Sequence, residues 1–65
     1  MQPHQQRVVD EKTELDKKAT ALGSFIDTSQ SFVTLDAAEQ DRLREQYDVM
    51  GTYSEILGAR IAAFQ

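Results

Sequence analysis

Sixty-five residues allow one domain at most. A core this small rarely supplies more than roughly 3–5 kcal/mol unless a disulfide, a metal or a partner chain supports it. The chain has no Cys and a single His, His4, which excludes disulfides, thiolate zinc sites and a His-based metal cluster within one chain. No cofactor is expected, and self-association is the device that remains. Seven basic residues against eleven acidic ones leave a net charge of −4. That balance argues against non-specific DNA or RNA binding, which needs a basic face to release counterions, and against an anionic membrane surface. No apolar run approaches the roughly 20 residues of a membrane span. The opening MQPHQQRVV lacks the apolar stretch of a signal peptide, so the default compartment is the cytoplasm.

Pro3 suits the first turn of a helix, where its missing N–H costs nothing. Val8, Leu15, Ala19, Leu22 and Ile26 then fall on one seam, with Lys12 its only polar member. This predicts a helix over about 3–26, roughly 36 Å long, with Gly23 weakening its last turns. Asp27 to Ser31 is a cluster of turn formers. Phe32, Val33 and Leu35 are too few for a strand and read as a hydrophobic plug closing a bend over 27–35. Asp36, with Glu39 three residues on, has the form of a capping box. From 36 to 64 the helical pattern is unbroken. Leu43, Tyr47, Met50, Leu57, Ile61 and Phe64 form one seam with Ser54 as its gap, and Val49, Tyr53, Ile56 and Arg60 form a second stripe beside it. The fold class expected is all-α: two antiparallel helices in a hairpin, assembling into a homo-oligomeric helical bundle.

The surplus stripe is one reason to expect a homo-oligomer, because one helix pair covers one stripe. A second reason is the run Gly51, Ser54, Gly58 and Ala62 along one side of the second helix, where small residues admit another backbone. The alternative is that Gly51 and Gly58 only accommodate the first helix. Two mid-helix glycines each cost about 1 kcal/mol against alanine.

No nucleophile–base set, metal-ligand spacing or phosphate loop is present, so no enzyme is expected. The alternating charges of residues 10–18 read as a solvated face with pairs such as Glu14–Lys18. The open end of the hairpin is more informative. Antiparallel pairing about a bend near residue 31 places side by side residues whose numbers sum to about 63. Arg7 then lies near Ile56 and His4 near Arg60. Tyr53 and Phe64 are close by, and the only acids nearby are Asp10 and Glu55. Such a cationic, aromatic-lined corner suits a phosphate and a stacked base. Arg7 has another partner in Glu11 one turn on, and Arg60 in Glu55 or a neighbouring chain.

The run HQQRVVDEKTELDKK, then LGSFI, then LDAAEQDRLREQYDVMGTYSEILGARIAAF resembles a family of very small phage and prophage proteins, the crAss-phage-related proteins. That family is similar in pattern to the helical-hairpin domain of phage sponges that counter the CBASS and Thoeris defences. The resemblance implies an oligomer that sequesters, uncleaved, a cyclic di- or trinucleotide or a cyclic ADP-ribose isomer in the cytoplasm of an infected bacterium. In this sequence Arg7 and Arg60 are then expected to neutralise phosphate, Tyr53 to stack or hydrogen-bond, and Lys18 and His4 to assist. The other two expectations are a small acidic module that binds a host protein and a structural helical adaptor.

Overall fold

The computed structural model describes residues 1–65 and is all-helical. Three helices follow in chain order: α1 (Pro3–Thr28), α2 (Gln30–Val33) and α3 (Ala37–Ala62). The long helices α1 and α3 lie antiparallel in a rod of 47 × 15 × 14 Å. No helix is long and apolar enough to cross a membrane.

Pro3 occupies the first turn of α1, and the backbone N–H of Gln2 donates to Oε1 of Gln5 at 2.9 Å. α1 runs five residues beyond Gly23 and ends two residues later than expected. The ring of Tyr47 lies over the Gly23 backbone, so close that an added Cβ would come within 2.8 Å of it. The bend holds a helical turn of its own, α2, capped by Ser29, whose side chain accepts from the Ser31 N–H at 3.1 Å.

Phe32 is the plug that the sequence suggests. It is 3% exposed, meets Phe25 edge-on at 5.9 Å and carries the Arg44 guanidinium over its ring at 5.1 Å. Val33, expected in the same plug, points outward. The amide of Gln40 ties the corner by donating to the carbonyls of Phe32 and Leu35 at 3.0 and 3.2 Å. Asp36 caps α3 by accepting from the Glu39 N–H at 3.1 Å. The helix ends at Ala62, two residues short of expectation, and Phe64 beyond it is half-buried.

Only Val8, Phe32 and Leu57 are fully buried. Leu15, Ala19, Leu22 and Ile26 of α1 and Leu43, Met50 and Ile61 of α3 are half-covered. A fully buried Leu contributes roughly 1.5–3 kcal/mol by transfer from water, so three such residues make a thin core.

The register differs from the expected one. Lys12 meets Ser54 and Gly58, Asp16 meets Ser54, and Gly23 meets Tyr47, so paired numbers sum to 66–70 rather than about 63. The extra turn α2 moves the midpoint of the hairpin along the chain. Residues on α3 therefore stand opposite positions of α1 that are three to seven later than expected.

Candidate functional site

The polar interruptions of the two seams find each other. Lys12 Nζ donates to Asp16 Oδ2 at 2.7 Å and to Ser54 Oγ at 2.9 Å, and the Ser54 hydroxyl donates to Asp16 Oδ1 in a short hydrogen bond. The Lys12 ammonium, then the Ser54 hydroxyl, hold the Asp16 carboxyl below its ordinary value of 3.8, against a smaller opposing effect of desolvation. Sequence reasoning did not join these residues. The signal was present, because Lys12 is the one polar member of its seam and Ser54 the gap in the other. Only the shifted register sets them side by side.

This network decides which way the hairpin's two flanks face. Asp16 and Thr20 of α1 line an open groove of about 400 Å³ with Asp48, Gly51, Thr52 and Glu55 of α3. A helix turns about 100° per residue, which puts Val49, Tyr53, Ile56 and Arg60 of α3, and His4, Arg7, Glu11 and Lys18 of α1, on the opposite flank.

The five residues expected in the site, His4, Arg7, Lys18, Tyr53 and Arg60, thus share one flank, and all are exposed. They do not share one corner. In the observed register Arg7 and Arg60 stand at the same level near the open end, with His4 beyond them. Tyr53 lies about 10 Å further along the axis from Arg60, and Lys18 about 16 Å from Arg7, at 1.5 Å per residue. Arg7 is level with positions 59–63 and not with Ile56, because the pairs that fix the register sum to 66–70. Of the acids expected beside them, Glu55 lines the groove, whereas Asp10 and Glu11 stand three and four residues from Arg7, and Glu14 four residues from Lys18, on this same flank of α1.

The ion pairs sort the cations. Lys12 pairs with Asp16, Lys17 with Glu14, Arg42 with Glu39 and Arg44 with Asp41. Glu14 takes Lys17 one turn on, three residues away, rather than the expected Lys18. Of the seven Lys and Arg residues, the three left without an ion pair are Arg7, Lys18 and Arg60. Glu11 does not close on Arg7, and Glu55 does not close on Arg60. Interleaved with these cations are three exposed large apolar side chains: Val49 at 61%, Tyr53 at 41% and Ile56 at 55%.

The small-residue stripe is partly spent inside the hairpin. Ser54 bonds to Lys12 and Asp16, and Gly58 lies against the Lys12 stem, where an added Cβ would meet Cε at 3.4 Å. That is the accommodation of the first helix posed as the alternative. Gly51 faces open space, and Ala62 is exposed.

Fold and flank together define a small helical hairpin with a free cationic and apolar surface. The chain belongs to the Sequestin family, whose model matches residues 2–63. This replaces the expected crAss-phage-related label. The chain is 38% identical over 65 residues, the whole of both proteins, to an uncharacterised 7.5 kDa protein of the denB–rIIB intergenic region of enterobacteria phage T4. No solved structure matches it.

Proposed function

We propose that the chain is a phage anti-defence sponge that binds a cyclic nucleotide second messenger and withholds it, uncleaved, from its receptor. The family's name speaks for sequestration, and the phage T4 relative for a phage setting. The observation that carries the proposal is the sorting of charge. In an acidic protein, the three cations without carboxylate partners all sit on one flank, among exposed apolar side chains. Arg7 and Arg60 are the phosphate ligands in this reading, Tyr53 the stacking or hydrogen-bonding group, and His4 and Lys18 supporting cations. A charge-assisted hydrogen bond contributes roughly 1.5–3 kcal/mol, so two arginines distinguish a phosphodiester from neutral solutes.

Sponge action is stoichiometric, because free messenger falls only while binding sites outnumber it. The test is direct. Small molecules released by heat from protein purified out of defence-active cells are identified by mass spectrometry. Calorimetry then follows with cyclic di- and trinucleotides and cyclic ADP-ribose isomers. Recovery of an intact messenger supports the proposal. Absence of heat from the whole panel, with the fold intact, rejects it. That outcome favours a module for a host protein, for which the exposed Val49 and Ile56 are the specific observation.

A further inference from the structure

A line on α3, separate from the seam that packs on α1, follows spacings of four and three without a break: Arg42, Gln46, Val49, Tyr53, Ile56, Arg60 and Ala63. This is the repeat of a helix seam that meets another helix. Its three central members are large apolar side chains, all more than 40% exposed. Its outer members are polar or small. Nothing within the chain covers it, and the hairpin buries only three residues fully.

We infer that this seam is the docking surface for a second copy of the chain, packed antiparallel, α3 against α3, about a two-fold axis at Tyr53. Charge selects the orientation. A parallel pairing sets Arg60 against Arg60 and Arg42 against Arg42, two like-charge contacts at the ends of a short apolar strip. Antiparallel pairing sets Val49 against Ile56 of the second copy, Tyr53 against Tyr53, Arg60 against Gln46 and Arg42 against Ala63. No seam position then faces a like charge. An isologous contact of this kind is self-complementary and closes at two subunits. The face differs from the stripe of Gly51, Ser54, Gly58 and Ala62, half of which is occupied by α1. It also makes any ligand site at Arg60 composite, because Gln46 of the second copy stands beside that guanidinium. Tyr53 at the axis is then taken up by the contact, so a ligand of the dimer meets Arg7 and Arg60 rather than the face of that ring. The dimer goes beyond the proposed sponge function and does not depend on it, since the ligand-free chain is expected to form it.

The native chain has no cysteine, so engineered thiols report without background. Val49→Cys and Ile56→Cys chains are mixed and oxidised, and the products are sized. Expected is a predominant disulfide between the Val49→Cys chain and the Ile56→Cys chain. Predominance of links between two Val49→Cys chains and between two Ile56→Cys chains overturns the antiparallel pairing. Sedimentation equilibrium of the full chain at tens of micromolar, on the order of the concentrations where a specific dimer persists, is expected to give twice the chain mass. A monomer there overturns the inference. Ile56→Glu is expected to weaken the dimer at least about a hundredfold, whereas Gly51→Glu, on the opposite side of α3 where the residue faces open space, leaves it unchanged. A dimer that survives Ile56→Glu, or is lost in Gly51→Glu with helicity retained, places the contact elsewhere. Should Ile56→Glu unfold the chain, the cross-linking pattern still decides.

Discussion

The two flanks of this hairpin are built from the same two helices and differ in what they leave unpaired. On the groove flank, Asp16, Asp48 and Glu55 gather with Thr20, Thr52 and the open Gly51. On the other, Arg7, Lys18 and Arg60 stand free beside Val49, Tyr53 and Ile56. With a net charge of −4, the chain still leaves three cations of one flank outside its ion pairs. What counts is which cations its own carboxylates consume, and here the local i,i+3 and i,i+4 pairs consume four of seven. Charge-paired cations are also poor ligands, since a phosphate has to displace a carboxylate to reach them.

The comparison breaks most sharply through ligand binding. Replacing Arg7 and Arg60 together by Ala is expected to weaken messenger binding by about a hundredfold or more, each contributing about tenfold at roughly 1.4 kcal/mol or more. Asp48→Asn and Glu55→Gln on the groove flank are expected to change it by less than about threefold, within what screened surface charges do. Titration calorimetry of these variants checks this, and binding that survives the double arginine variant refutes the site while leaving the function standing.

Next in size is the polar link between the helices. Ser54→Ala removes the hydroxyl that joins Lys12 to Asp16, and the expected cost is about 1 kcal/mol, seen as a lower midpoint in urea unfolding. The free flank offers no counterpart to this deletion, because no side-chain hydrogen bond links α1 to α3 there. An unchanged midpoint for Ser54→Ala means that Lys12 and Asp16 hold the register without it.

Glycine substitutions read the packing of the groove side. Gly51→Ala is expected to stabilise by up to about 1 kcal/mol, since helix propensity rises and nothing lies within 4 Å of the new Cβ. That is on the order of 4–8 °C in melting temperature for a chain of this size. Gly23→Ala is expected to gain less or lose, because the Tyr47 ring has to move aside. Thermal melts in which Gly23→Ala gains more than Gly51→Ala contradict the close approach of that ring.

The smallest effect is a pH dependence. The Asp16 carboxyl is held below 3.8 by Lys12 and Ser54, so its ionised form favours the folded chain. A depressed carboxyl contributes stability that is fully present above its ordinary value and is lost as pH falls through the lowered one. Stability is therefore expected to drop below about pH 3.8, with a smaller drop in Asp16→Asn. Urea midpoints measured from about pH 5 down to about 2.5 in both chains check the sign, and identical profiles remove Asp16 from the account.

Much of the hairpin is legible from local pattern alone. The seam Val8, Leu15, Ala19, Leu22 and Ile26, the capping residue Asp36 and the plug Phe32 all act within one or two turns of themselves, where 3.6-residue periodicity and backbone hydrogen bonding are decisive. The shared flank of His4, Arg7, Lys18, Tyr53 and Arg60 follows from the same periodicity once the helices are antiparallel. The register does not. It depends on a four-residue helical turn, Gln30–Val33, in a segment whose composition reads only as a bend, and on Lys12 reaching Ser54 across 42 positions. Nor does sequence show which carboxylate each cation takes. Glu14 has Lys17 and Lys18 within reach, and rotamers in the folded chain choose the first. Sequence by itself determined two amphipathic helices and the faces they present. Tertiary structure alone decided how far one slides along the other, because sliding by a turn preserves each helix's pattern and is opposed only by contacts between them.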